Sequence, residues 1–587
     1  MAICPPKKID SNITGLRYAK ERCLGELPAN PIWRAMEPNS YSDFGSNITT
    51  VARNPINPSR QRKKGVVTDM DASGGLNQDL TIGNTTDQLQ GFLFADARER
   101  GTTESLVDGH LNVTAVAAAT DQYTFNNVNV ATFAVAAGGT GYRVGDLLTV
   151  TGGTNAQRSA LAYVSAINPA TGAVTAVAVD DPGVYGALPA NPAATTGGTG
   201  VGATVNLTGG TSQTFKVGDL VLAEGFGIAA NNGIKTLATV TGNNVTVTEA
   251  LTDEAAPPAD AMVRTIGHRF VAGDLNITMN GKLPRLTDAA AAVDFTTFGF
   301  LPGEWVYVDG FANNVGFARI SVINADYLEF DKTDWAPVAE AAAGITVTLY
   351  YGIIIRNEGD PALIKRTSYQ IERTLGQDEN GTMSEYLIGA VANEFTLNVA
   401  QADKVTVDLT YVAIDNEQRD GTQGVKAGSR PALIVEDAYN TSSDFSRIKM
   451  ASVDPLDPNP NPLFAFATDM TLTINNSVTP NKAIGVLGGF DTSAGTFEVG
   501  GSITAYFSSI AAVKAVRNNA DITLDFILVK ANKGLLFDVP LLALGNGRLN
   551  VEQDQAITLP LDTSAAESKF GNTLTVQVFP YLPNSAG

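Results

Sequence analysis

His110 and His268 are the only two histidines in a chain of 587 residues. Each follows a glycine, in Gly109-His110 and Gly267-His268. Nucleophilic catalysis of the Ser/His/Asp or Cys/His kind needs an imidazole to take the nucleophile's proton. A histidine-based metal site needs two of them at helical or loop spacing. Neither pattern is present, and both histidines read as turn residues. Cys4 and Cys23 are the only cysteines. They are too few for a disulfide framework or a thiolate zinc site, and this usage suits a reducing compartment. Asp69/Asp71 and Asp180/Asp181 offer neighbouring carboxylates. A glycosidase pair is defined by distance in space, whereas carboxylates at adjacent turns are the expected surface of a chain with 60 acidic and 40 basic residues. The glycine runs Gly138-Gly139-Thr140-Gly141, Gly152-Gly153 and Gly197-Gly198-Thr199-Gly200 lack the Gly-Lys-Ser/Thr and the following helix that a phosphate loop requires. These residues predict no enzyme, no cofactor and no metal.

The balance of charge points the same way. A net charge of −20 disfavours sequence-independent nucleic-acid binding, which relies on clustered Lys and Arg to neutralise phosphates. It suits a soluble surface, or a wall that repels DNA. Arg60-Gln61-Arg62-Lys63-Lys64 is the one basic run, either a solvated turn or a contact with an acidic neighbour. No apolar run reaches the roughly 18 residues of a membrane-spanning helix. Met1 to Gly25 lacks the charged-then-apolar order of a signal segment. Neither a membrane span nor export is expected.

The elements that would position any site are β-strands. The chain is 44 % hydrophobic and only 17 % charged, with 57 glycines. Val, Thr and Ala fill its apolar runs and turn residues recur between them, which predicts an all-β fold. Two α-helices are expected. One is capped by Asn84 or Thr85, carries Leu89, Phe92, Leu93 and Ala97 on one stripe, and ends before Gly101. The other spans 509–518 with Ile510, Val513 and Val516 inward.

Repeats organise these elements. Asn54-Pro55-Ile56-Asn57-Pro58, followed by Thr68-Asp69-Met70, recurs as Asp454-Pro455-Leu456-Asp457-Pro458, followed by Thr468-Asp469-Met470. Ser42-Asp43-Phe44 is echoed by Ser443-Asp444-Phe445. This pattern predicts two copies of one β-rich unit. The first is discontinuous, 37–110 and 357–425, and the second is 426–587. Residues 1–36, with Pro5, Pro6, Pro28 and Pro31, read as an extended arm that lies on a neighbour or frays. Residues 111–356 form an insertion of small β modules. Within it, Phe215 to Phe226 resembles Phe300 to Phe311, and the glycine-rich stretch 126–210 reads as an outer decoration. In the second copy, Thr496–Val499 and Ser502–Phe507 are expected to pair across Gly500-Gly501.

Arg62 to Thr81 with the helix after it resembles the opening of a tail tube protein of long-tailed, siphophage-type bacteriophages. Asp469–Asn476, Gly500–Phe507 and Leu574–Pro580 resemble later parts of the same family. The resemblance implies β-sandwich or barrel domains, each flanked by a helix, whose sheets join those of neighbours into stacked rings. Such a tube conducts DNA without binding it specifically. Partners implied are further copies of the chain, a tape measure protein, and tail terminator and baseplate proteins. The product is a virion tail assembled in the host bacterial cytoplasm. Two copies per chain imply a homotrimeric, pseudo-hexameric ring. The loops Tyr41–Lys64 and Ser442–Leu463 would join successive rings, with Asp43, Phe44, Pro55, Pro58, Arg60, Arg62, Asp444, Phe445, Pro455 and Pro458 as candidate contacts. Rigid prolines lower the entropy lost on docking. The alternatives are another phage structural protein, of capsid or fibre-like type, and a surface carbohydrate-binding protein. The second should show clustered exposed aromatics.

Overall fold

The computed structural model describes residues 11–28, 31–53, 56, 58, 61–100, 111–125, 128–154, 159–211, 214–242, 244–258, 261–289, 291–341, 344–378 and 381–583. The chain is mainly β. It forms two compact units, one of Met1–Ala97, Ile354–Val578 and Pro583–Gly587, the other of Arg98–Ile353 and Phe579–Leu582.

In the first unit, Gly381–Ala400 is the long central strand, with Phe395, Leu397, Val391 and Tyr386 completely buried along it. From Gly15–Lys20 the hydrogen-bonded order runs through Ser368–Asp378, Gly381–Ala400, Thr406–Ala413 and Lys63–Asp79 to Pro38–Arg53. A second run begins at Phe445–Ser452. It continues through Ile522–Lys530, Lys533–Asn546, Thr558–Ala565 and Glu498–Tyr506 to Ala467–Asn475. Arg34–Met36 adds one strand outside Gly15–Lys20; from Gly15–Lys20 onward the two runs share six strands, the same hairpin steps and the same antiparallel sense. Each also places a helix, Ile82–Leu93 or Ala511–Arg517, after its fifth strand.

This correspondence differs from the one drawn from the proline turns. Thr68 lies in the fifth strand of the first run, whereas Thr468 lies in the sixth strand of the second. The proline turns also occupy different connections. The first falls in the chain between Pro38–Arg53 and Lys63–Asp79, whereas 454–458 join Phe445–Ser452 to Ala467–Asn475. An Asx-Pro-x-Asx-Pro stretch reports turn chemistry, which recurs wherever a rigid turn is needed.

Four local expectations need correction. The first helix starts at Ile82 behind Thr81 and ends at Phe94, which closes it in a left-handed conformation, φ 47°. Ala97 is buried beyond the helix instead of on it. The second helix buries Ala512 and Ala515, while Ile510 is exposed. Glu498–Tyr506 is one continuous strand with no turn at Gly500-Gly501. Gly501 has φ 147° and a Cβ there would overlap the Thr471 carbonyl, so the glycine serves a close backbone approach. Finally, Ile484 to Gly488, whose apolar residues read as a further strand of the second copy, form the exposed connection of the small hairpin Thr479–Lys482/Gly489–Ser493.

Residues 1–10 lie outside the described part, but Gly15–Lys20 and Arg34–Met36 are strands of the sheet. Tyr18 donates to Asp87 of the first helix at 2.7 Å, and Lys20 and Arg34 pair with the same carboxylate at 3.2 and 3.6 Å. Trp33 is fully buried edge-on against Tyr386, centroids 5.7 Å apart. The extended-arm expectation therefore fails for this stretch: its prolines flank strands instead of preventing them.

The second unit contains a six-stranded sheet, Val128–Thr140 to Val201–Thr211, and a thirteen-stranded one. Within the latter, Asp219–Glu224 pairs with Gly233–Thr241 on one edge and Met262–Arg269 on the other, closing six strands around Tyr123, Phe125 and Phe226. The adjoining strands from Leu275 to Tyr350 enclose Phe295, Phe300, Val306 and Phe330. The segments after Phe215 and Phe300 make matching contacts. Asn231 Nδ2 donates to the Thr252 carbonyl and Glu254, both at 2.9 Å, and Asn314 Nδ2 donates to the Val338 carbonyl at 3.0 Å and Glu340 at 2.6 Å. An acidic entry turn occurs three times: Asp146 accepts from Arg143 N, Asp219 from Lys216 N, and Glu304 from Leu301 N.

Candidate assembly interface

Two features of the first unit bear on function: an unpaired edge that projects, and a junction inside the chain that shows how such an edge is satisfied. Pro38–Arg53 is 16 residues long and, among the described residues, pairs only with Lys63–Asp79. Ile48, Val51, Val66 and Val67 are each more than half exposed on this hairpin. A long edge strand with exposed β-branched residues is a template for another chain unless charge, proline, bulges or a covering element blunt it.

At its base the hairpin is held rigidly. Phe44 lies under the Arg373 guanidinium at 4.3 Å and edge-on to Tyr41 at 6.1 Å, and Arg373 pairs with Glu385 at 2.5 Å. Asp43 accepts from Ser73, and Ser46 bonds Asn416 at 3.2 Å. Further out, Lys482 of the small hairpin reaches Asp69 at 2.6 Å and Asp71 at 2.5 Å. The Lys482 hydrogen bond holds the Asp69 carboxyl below its usual range.

The junction joins the two strand runs. Glu394–Ala400 of the first pairs with Asp469–Asn475 of the second, from Glu394↔Asn475 to Ala400↔Asp469. Thr396 and Thr473 bring their hydroxyls within 3.2 Å across it. Asn476 continues the contact, donating Nδ2 to the Phe92 carbonyl at 2.9 Å and the Ala392 carbonyl at 3.1 Å. One sixteen-strand sheet thus passes from one run to the other.

The candidate contact residues are scattered by the fold. Pro55 and Arg60 lie outside the described residues. Pro58, Arg62 and Pro455 are exposed, while Pro458 is buried. Asp444 is buried, accepting from Asn440 N and Nδ2 at 2.8 and 2.9 Å. Phe445 stacks on Phe526, centroids 6.2 Å apart. Asp444 and Phe445 therefore build their own sheet edge. Sequence reading passed over Asn546–Glu552, where Leu549 and Val551 are exposed just beyond the strand Lys533–Asn546.

Elsewhere, His268 is buried with Nδ1 2.8 Å from Asp219, its ring against Phe270 and Phe298. His110 lies outside the described residues. Among the described residues no helix is long and apolar enough to cross a membrane, and no group of three or more His, Cys, Asp or Glu residues is placed to hold a metal ion.

No curated protein matches the sequence. A family model described as phage tail tube protein matches residues 244–565. That match covers more than half of the chain, including the central strand, the internal junction and all of the second strand run, and the chain belongs to the phage tail tube protein family.

Proposed function

We propose that this chain is the major tube subunit of a long, siphophage-type tail. Three chains, each contributing two tandem tube domains, close into a pseudo-sixfold ring, and rings stack into a conduit for DNA. The observation that carries this reading is the strand order that occurs twice and is bridged by Glu394–Ala400 on Asp469–Asn475. A chain that already joins two like sheets edge to edge has one half-step of a ring built in, and family membership supplies the self-assembling tail context. The net charge of −20 fits a bore along which DNA slides, since fixed negative charge repels phosphates.

The hairpin tip, residues 54–62, is the proposed ring-to-ring contact, with Pro55, Pro58, Arg60 and Arg62 in it. Exposed Pro455 is the corresponding candidate on the second loop. Tape measure, terminator and baseplate proteins are the proposed partners, with assembly in the host cytoplasm. Electron microscopy of the purified full-length chain tests the reading. Hollow threefold rings or tubes are expected. Sixfold rings of six chains would remove the tandem-domain ring, and solid fibres or shells would remove the tube.

A further inference from the structure

The connection that follows Asp415–Arg419 packs on one face of the first strand run, and charged groups lie beneath it. Strand registers set Glu372, Tyr386 and Glu417 in one row across three strands. Two cations of the connection meet that row. Arg430 pairs with Glu372 at 2.6 Å, and the same carboxylate accepts from Tyr386 Oη at 2.6 Å. Lys426 sits differently. Its Nζ donates to Oε1 of Gln370 at 2.8 Å, stands 2.9 Å from Oε2 of Glu417, and lies 4.5 Å from the centroid of the Tyr386 ring.

An amine between a carboxylate and an amide carbonyl is an ordinary ion pair where water reaches it. Here little water does: the Lys426 side chain is 12 % exposed and Gln370 is 3 % exposed. Both ends are also fixed. Gln370 belongs to Ser368–Asp378, which has a paired strand on each side. Its Nε2 donates to the Gly25 carbonyl at 3.3 Å, which turns Oε1 toward the amine. Lys426 N donates to Tyr386 Oη at 3.0 Å. Neither carboxylate depends on the lysine charge, because Arg419 holds Glu417 at 2.7 Å and Arg430 holds Glu372. Burial raises the Glu417 carboxyl, but its bonds to Lys426 and Arg419 outweigh burial and keep it below the usual range. It is therefore an unprotonated acceptor at neutral pH.

We propose that Lys426 and Gln370 become joined by an isopeptide bond, with Glu417 as the catalytic base. Glu417 takes one proton from the Lys426 ammonium, a transfer that cancels two charges and costs less where water is scarce. The freed Nζ lone pair bonds to Cδ of Gln370, one carbonyl length (about 1.2 Å) behind the oxygen that Nζ touches. A second proton passes from that nitrogen to Nε2 and the Cδ–Nε2 bond breaks. Ammonia leaves, taking the proton from Glu417 with it as ammonium. The step needs no oxidant, metal or second chain. Its product is a covalent ring from Gln370 to Lys426, which ties the connection between the two strand runs to the first of them. Lys404, Asp79 and Asn39 supply a natural comparison. Lys404 Nζ is 2.7 Å from Asp79 and 3.5 Å from Asn39 Oδ1, and Asp79 accepts from Asn39 Nδ2 at 2.5 Å. There the lysine side chain is 47 % exposed, so hydration keeps its proton in place and no bond should form.

Intact-mass measurement on the purified full-length chain, followed by peptide mapping, tests the bond. The expected result is a mass lower by one ammonia and a branched peptide joining Gln370 to Lys426. Formation should speed up as pH rises toward the ordinary lysine value of about 10, where the amine is freed more often. Lys426→Arg keeps the cation and Gln370→Glu keeps the shape, and both variants should show no loss of ammonia. Glu417→Gln should slow formation by about 100-fold or more, the usual worth of a positioned acid–base group. A parent chain that keeps its full mass after prolonged incubation at pH about 9 would overturn the bond. Ammonia loss that maps elsewhere would overturn it equally, whether to Lys404 and Asn39 or to a cyclised Asn-Gly step such as Asn280-Gly281. Bond formation at the parent rate in Glu417→Gln would overturn the role given to Glu417.

Discussion

Single side chains hold the parts that must not move. Asn314 is fully buried and accepts from Trp335 Nε1 and Val338 N, both at 3.1 Å, while donating to Val338 and Glu340. Asn314→Ala leaves several buried polar groups unpaired, each costing about 1–3 kcal/mol. A loss of about 3 kcal/mol in chemical denaturation of the full chain is expected, and Asn231→Ala should cost a similar amount because its contacts are the same kind. Lys482 acts at the surface instead. Its bond lowers the Asp69 pKa, so that carboxylate contributes stability above the ordinary carboxylate range and loses it as pH falls through the lowered value. The hairpin Thr479–Ser493 should lose amide protection well below pH about 3.9, and Lys482→Ala should remove the same protection at neutral pH. Equal protection in variant and parent would dismiss the clamp. Tyrosines carry a third residue-scale signature. Burial raises Tyr18, Tyr369 and Tyr411 well above the ordinary phenol value, and Tyr350 is pushed up to about 12. Raised pKa values of this kind favour the fold below pH about 10 and oppose it as pH climbs through them. Absorbance titration should therefore show these phenols ionising only with alkaline unfolding.

At the scale of elements, how much the amino-acid order disclosed depended on how local each signal was. The first helix was legible because Leu89, Phe92 and Leu93 repeat at helical spacing, and its core face meets Phe395 and Tyr411 at 5.6 and 5.4 Å. Its ends were less so, since the cap carries no side-chain hydrogen bond and Phe94 adopts a positive φ usually left to glycine. Gly500-Gly501 misled for a physical reason: glycine marks both turns and close strand approach, and only the neighbour's backbone decides between them. Gly501→Ala should then destabilise the sheet by about 1–3 kcal/mol through its φ alone, with the Thr471 overlap added. Denaturation of that variant tests the point, whereas a glycine in a true hairpin turn would transmit no change to Ala467–Asn475. The candidate contacts were half legible. The hairpin Pro38–Arg53/Lys63–Asp79 announced itself through the proline turn between its strands, whereas the exposed stretch Asn546–Glu552 carries no motif. Asp444 and Phe445 looked like surface residues because their echo of Asp43 and Phe44 was read in the wrong register.

For the whole molecule, charge and edge geometry act in opposite directions on assembly. Every chain carries −20, so ring closure and stacking bring like charges together. At about 0.01 M salt the screening length is roughly 30 Å and such charges repel across a whole subunit, while at about 0.1 M it shrinks to roughly 10 Å. Contacts between chains built on backbone groups and on the exposed Ile48, Val51, Val66 and Val67 are not weakened by salt. Association should therefore tighten as salt rises from about 0.01 to about 0.1 M. Sedimentation velocity on the full chain reads this directly as growth of a species three chains in mass at the expense of single chains. Loss of that species on adding salt would mean that attraction to the basic tip, Arg62, Lys63 and Lys64, dominates association. The ring-to-ring contact would then be the stronger of the two, and stacked material should form before closed rings do.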